Sequence, residues 1–279
     1  MIRTLSLLLS HPLTRGRPLS AIYRLVRWQI ESRFKQHVQF NWIEGAKLIV
    51  RNGMTGATGN IYCGLHEFSD MAFLLHFLRP GDLFVDVGAN IGSYTILASH
   101  VCGADTIAIE PDPETMKSLK RNIAANGLET KVTPVETAIG SKAGEARFTV
   151  GRDTINHITD GTEENVRIVK LQCLDDLLQG KEPSFIKIDV EGFEVEVMAG
   201  AERVLMAKSL VAIETEGRQP EVIMSLTRAG FKEYSYDPWS RELRAAEGTG
   251  SNALYLRDLP EVTARLISSP QRQILTFKL

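Results

Sequence analysis

Cysteine is scarce in this chain: Cys63, Cys102 and Cys173 are odd in number, widely spaced and free of CxxC or histidine pairing. That excludes a disulfide framework and a zinc site and fits a reducing, cytoplasmic setting. No apolar stretch approaches the roughly 20 residues that span a bilayer, and the longest near the start, Leu5 to Leu9, is broken by Ser6. The same stretch is too weak for a signal peptide and is read as mature protein. Net charge is almost absent, with 32 Lys and Arg against 34 Asp and Glu, so nucleic acid is not an expected partner. Repeats, low-complexity tracts and a Pro/Gly-rich linker are missing as well. What remains is 279 residues at 43% apolar and 24% charged, an ordinary globular composition long enough to bury a core.

The small net charge hides an asymmetry. Residues 1–51 carry +7, and the rest of the chain −9. Within this basic arm Ile22, Val26 and Ile30, with Leu25 and Trp28 beside them, recur at helical spacing among Arg24, Arg27, Arg33 and Lys35. The pattern predicts an amphipathic helix whose apolar stripe packs on the main domain. Weak contact with a membrane surface is the alternative role.

From Phe84 onward short β-branched runs alternate with helical patterns, which predicts an α/β fold with a largely parallel sheet. Expected strands are 84–87, 106–109, 132–137, 185–190 and 210–213, with 231–236 and 252–256 closing the sheet as a hairpin-like edge. Helices are expected from Ile91 to Val101 and after Asp112, an N-cap followed by Pro113. Residues 140–183, with turn chemistry at Gly151-Arg-Asp153 and Asp160-Gly161, read as an insertion or lid containing two short strands and a helix near Leu174–Leu178.

The most informative stretch is Asp86-Val-Gly88-Ala-Asn90-Ile-Gly92, where a buried strand turns into a helix at the edge at which open α/β sheets bind ligands. Gly88 and Gly92 clear space for a ligand near the backbone. The dinucleotide fingerprint asks for glycine where Asn90 stands, and no lysine with a hydroxyl residue follows Gly92, so neither a pyrophosphate nor a P-loop fits. Asp86 before the glycines suits a cationic group such as an α-amino group. Glu110, 24 residues later, suits a ribose diol. Taken singly, Asp86 reads better as a helix cap and Glu110 as a surface residue before a turn; together, on adjacent strand ends, they describe S-adenosylmethionine, an amino acid joined to a ribose.

Phe84-Val-Asp-Val-Gly-Ala-Asn-Ile-Gly-Ser-Tyr-Thr95, Ile109-Glu-Pro111, Ile186-Lys-Ile-Asp-Val-Glu-Gly192 followed by Glu194, and Ile213-Glu214 together resemble the FkbM family of S-adenosylmethionine-dependent methyltransferases over roughly residues 60–257. The resemblance implies a class I methyltransferase (Rossmann-like) fold, a mostly parallel seven-stranded sheet with an antiparallel last strand. It implies that Asp86, Gly88, Asn90 and Glu110 face the cofactor, with Gly92 in the same turn. It divides the chain into a basic extension, 1–59, and a cofactor-binding domain, 60–279, and its expected reaction is O-methylation of a small-molecule or saccharide acceptor.

A second carboxylate group, Asp189, Glu191 and Glu194, lies at the end of the fourth strand with Lys187, which shares a strand face with Asp189. Such a pair on an apolar strand is costly unless it is used; the plainer reading has Asp189 and Glu191 capping the next helix and Lys187 neutralising them. If the acceptor is a neutral hydroxyl, a base must take its proton, and Asp189, Glu191 and His157 are the candidates. His66 and His100 rank lower. Glu136, ending the third strand, reads either as a residue near the adenine edge or, equally, as an ordinary strand-end carboxylate. The acidic residues lack regular ligand spacing, so no metal is expected. The competing functions are a nicotinamide-dependent oxidoreductase and a non-catalytic surface-binding protein on the same fold.

Overall fold

A computed structural model describes residues 2–151, 156–159, 161, 163, 165–246, 248 and 252–279. Its main sheet is built from the β-branched runs: β1 Leu83–Val87, β2 Asp105–Ile109, β3 Val132–Val135, β4 Phe185–Ile188, β5 Ala212–Glu216, β6 Lys232–Asp237, β7 Glu242–Ala245 and β8 Asn252–Leu256. Across the sheet the order is β7-β6-β8-β5-β4-β1-β2-β3. The contacts of β1 with β2 and β4, of β2 with β3 and of β4 with β5 are parallel, while β8 pairs antiparallel with both β5 and β6. Parallel strands need covering on both faces, and two apolar clusters supply it. Phe84 and Phe185 face the buried helix Phe68–Phe77, and Val85, Ile107, Ile186 and Ile213 face the other way.

At the end of the sheet residues 231–236 and 252–256 pair antiparallel, as expected, with β8 seated between β5 and β6. The additional strand β7 pairs with β6 and forms the edge, so the described sheet has eight strands rather than seven. The polar, arginine-bearing sequence of β7 turns only Leu243 toward the core, which is why apolar periodicity did not reveal it. The helix expected from Ile91 to Val101 begins at Ser93 and turns from α into π geometry over Leu97–Val101.

Residues 138–172 form a separate four-stranded sheet from Ala138–Ile139, Gly144–Thr149, Ile158–Thr159 and Val166–Gln172, followed by the helix Leu174–Leu178. That is more strand than the two pieces expected; the turn residues Arg152, Asp153 and Asp160 lie outside the described residues. Arg167 ties this sheet to the segment after β2 through a 2.6 Å bond from Nη1 to Asp112 Oδ1, while Asp112 Oδ2 caps the helix Pro113–Ala125 by accepting from Thr115 N–H.

The amino-terminal helices, Ile2–Ser10 and Pro18–Phe34, pack beside the glycine turn: Leu8, Ala21, Trp28 and Cys63 share a buried cluster with Ile91. The stripe predicted to face the domain is divided between two sides. Trp28 is buried and Leu25 and Ile22 half-buried, but Val26 and Ile30 are 50% and 52% exposed. The following hairpin, Val38–Asn41 with Lys47–Val50, is held by Asn122 and Asn126, whose side-chain oxygens accept from Ile49 and Lys47 N–H.

Candidate active site

β1 ends in a turn that needs left-handed backbone three times: φ is +83° at Gly88, +51° at Asn90 and +93° at Gly92. Asparagine tolerates this conformation, and the Asn90 side-chain oxygen accepts the next N–H, of Ile91, at 2.8 Å. A Cβ on Gly88 would stand 1.8 Å from the backbone oxygen of Asp189, so the turn packs directly on the end of β4. Gly92 has a different task, since a Cβ there would meet Leu119 at 2.5 Å; it seats the helix and does not line a cleft.

Glu110 follows β2. Its carboxylate accepts from Asn90 N–H at 3.0 Å and from Asp112 N–H at 2.9 Å, locking the glycine turn to β2. Burial pushes its pKa up to about 8 against the pull of those two donors. Each oxygen keeps a further lone pair for a ligand hydroxyl.

Two rungs beyond the Phe84–Phe185 pair, the strand register brings ionisable residues side by side: Asp86 opposite Lys187, and Lys187 opposite Glu214. Asp86 accepts from the Thr95 hydroxyl at 2.6 Å, and burial raises its pKa to about 6 despite Lys187 and Thr95. Lys187, 3% exposed, donates to Asp189 at 2.7 Å, stands 4.0 Å from Glu214 and lies over the Tyr94 ring. Burial works against its charge, but Asp189, Glu214, Glu67 and Asp86 outweigh it and hold the ammonium well above the usual lysine range. Asn252 Nδ2 points at Asp70, Glu67 and Glu214, at 3.0, 3.2 and 3.3 Å. Two amide hydrogens cannot satisfy three carboxylates. Burial and the neighbouring Asp70 raise Glu214 far above the carboxylate range, and burial with Glu67 raises Asp70 to about 6.

Two clefts meet at this edge and share Gly88, Asn90, Asp189 and Glu191. The first is lined by Ile109, Glu110, Thr137, Phe148 and Phe193. Its apolar walls and the Glu110 carboxylate suit a nucleoside in chemical character. The second is lined by His66, Glu67, Asp86, Tyr94, Lys187 and Glu216.

Several expected site residues are placed differently. Glu136 is exposed, and the next residue, Thr137, lines the first cleft in its stead. His157 lines neither cleft; its ring lies 3.5 Å from Glu163, while the flanking Asn156 and Ile158 reach the first cleft. Asp189 and Glu191 do not cap the helix Glu194–Ala199, which has no side-chain cap; Glu194 instead accepts from Gly192 N–H and Gln219. Sequence reasoning missed Glu216, although it sits two residues after Glu214 on one strand. Burial and the charges of Asp189, Glu191 and Glu194 raise Glu216 to about 7. It joins Asp189 and Glu191 in the carboxylate triad whose oxygens lie within 4.8 Å of one another, the one group among the described residues close enough to share a cation. Glu67, Asp70 and Asn252 were also missed, being far apart in the chain, and His66, ranked low, lines the second cleft.

Comparison with known proteins gives the family. The Methyltransferase FkbM domain matches residues 86–233, more than half of the chain. A hexuronic acid methyltransferase, AglP, of Haloferax volcanii is 29% identical over 157 residues, covering 55% of this chain and 64% of that protein. The 31-O-demethyl-FK506 methyltransferase FkbM of Streptomyces tacrolimicus is 36% identical over 86 residues, covering 29% of this chain and 32% of its own. The crystal structure of a methyltransferase FkbM from Methylobacillus flagellatus superposes with a TM-score of 0.43 at 14% identity, over 85% of this chain and 59% of that one. The chain thus spans less than two thirds of these curated relatives. The chain belongs to the FkbM methyltransferase family, and its methyl donor is S-adenosylmethionine.

Proposed function

We propose that this methyltransferase methylates a hydroxyl oxygen of a small-molecule or saccharide acceptor bound in the second cleft, and that the acid-rich lining favours a neutral or amino-bearing acceptor. The observation that carries the reading is the common wall: Gly88, Asn90, Asp189 and Glu191 border both an apolar-walled cleft that holds Glu110 and a charged one. That arrangement lets two ligands meet in line, and alignment supplies much of the barrier reduction in a displacement. When bound, S-adenosylmethionine supplies a methyl group on a sulfonium with a neutral thioether as leaving group. Glu110 would hold the ribose diol, and Asp86 with Asp189 would face the amino-acid end.

The chain's own residues handle the proton. Glu216, raised to about 7, is matched to accept a hydroxyl proton near neutral pH. Asp189 orients the acceptor, its other oxygen held by Lys187. The hexuronic acid named for the archaeal relative makes uronic acid glycosides the comparison class, although crowded carboxylates in the second cleft would repel an anion.

The test combines calorimetry and turnover. S-adenosylmethionine and its demethylated product should bind, NAD should not, and Glu110→Ala should weaken both sulfur ligands by about 1–3 kcal/mol. In a screen of neutral, amino and uronic glycosides, Asp189→Ala should lose turnover far more than cofactor affinity. Loss of cofactor affinity alone would refute the acceptor role, and methylation at nitrogen or carbon would refute the oxygen assignment.

A further inference from the structure

The helix Pro18–Phe34 uses opposite sides for different purposes. Trp28 and Ala21 point into the protein, 4% and 0% exposed. On the other side Leu19, Tyr23, Val26, Ile30 and Phe34 are exposed by 81, 66, 50, 52 and 84%. At 100° per residue these five fall within an arc of about 80°, and they run about 22 Å along the helix. Among the described residues, fourteen large apolar side chains are exposed, and half of them, with Leu5 and Leu9, lie in the first 34 residues. A contiguous apolar stripe on a soluble face marks an interaction surface.

Charge identifies the occupant. Arg27 and Arg33 flank the stripe on its two sides, Arg15 and Arg17 precede the helix and Lys35 follows it, all exposed, with Glu31 as the acidic residue of the segment. Arg24 is turned inward, donating to Tyr62 O. A second copy of the chain would bring one basic rim against another, whereas an anionic surface is complementary to it. We propose that this helix docks the enzyme flat on an anionic lipid bilayer, with the apolar stripe at the headgroup boundary and the arginines on lipid phosphates. No helix among the described residues is long and apolar enough to cross a membrane, so the contact is parallel to the surface. The inward side of the same helix borders a groove lined by Arg24, Trp28 and Asn60, and Asn60 also lines the second active-site cleft.

The test is flotation of the full chain with vesicles of phosphatidylcholine alone or mixed with phosphatidylglycerol, at low and high salt. Expected are binding to the mixed vesicles only, loss of binding at high salt, and a drop of at least about tenfold in both Val26→Ser/Ile30→Ser and Arg15→Ser/Arg17→Ser proteins. Unchanged circular dichroism and cofactor binding would show that these exposed substitutions leave the fold intact; a variant that fails this check is replaced by Leu19→Ser/Phe34→Ser. Absence of wild-type binding at low salt, or equal binding by the stripe variants, would overturn the proposal. So would a dimer in sedimentation velocity that the stripe variants abolish, because the stripe would then be covered by a second copy.

Discussion

Replacing Glu110 by glutamine separates the charge of this residue from its shape. In the folded protein the carboxyl group titrates at about 8, against 4.5 for an ordinary glutamate, because burial outweighs the two N–H donors. Between those values the folded state holds a proton that the unfolded state has released. Stability of the free protein therefore falls as pH rises through that window, by up to about 1.4 kcal/mol per pH unit, and Glu110→Gln removes this contribution. Cofactor binding runs the other way. A ribose diol donates best to the ionised carboxylate, and hydrogen bonds to a charged group are worth about 1.5–3 kcal/mol, or roughly 10- to 150-fold in affinity. Glutamine mimics the protonated form in charge, so wild type and variant should bind S-adenosylmethionine with similar affinity at about pH 6, diverge as pH rises toward about 8, and keep a constant ratio above it. Calorimetry in two buffers of different ionisation enthalpy should also show the wild type releasing a proton on binding below that pH, and the variant none. A wild-type to variant affinity ratio that stays constant across the range would refute the reasoning, because Glu110 would then act through packing alone.

Three further outcomes test the neighbouring residues. Gly88→Ala puts a methyl group against the Asp189 carbonyl at a positive φ and should lower unfolding free energy by about 3 kcal/mol or more and abolish cofactor binding, as read by denaturant titration and calorimetry. Lys187→Met leaves Asp189 and Glu214 without their cation and should destabilise by about 3–5 kcal/mol near neutral pH. That deficit should shrink below about pH 6 as Asp86 and Asp70 take up protons, so an equal deficit at both pH values would count against the paired arrangement. Glu216→Gln should cut turnover by about 10²–10⁴ and remove the rising limb of the pH–rate profile near 7 while cofactor affinity is retained.

The α/β architecture and the glycine turn were legible because local signals and tertiary demands coincide there. Strands buried on both faces must be continuously apolar, and the left-handed turn must be glycine or asparagine. The position of β8 was not legible, because insertion of the last strand between two earlier ones is decided by sheet-wide packing and leaves no mark on the strand itself. The helix Pro18–Phe34 was recognisable as amphipathic, but a stripe of apolar residues does not announce which side is buried; Trp28, the bulkiest side chain near the stripe, decides it. In the site, Asp86, Glu110 and Asp189 were found because they end strands at the binding edge. Glu67, Asp70 and Asn252 converge from elements 182 and 185 residues apart, and no local pattern encodes such a meeting.

The contact between Gly88 and the Asp189 backbone lies on the wall that the two clefts share. With no side chain between them, the glycine turn and the end of β4 meet backbone to backbone, so neither can be displaced without pressing on the other. Any coupling free energy that this contact carries between the clefts is reciprocal: whatever factor an occupant of one adds to affinity in the other, the second returns to the first.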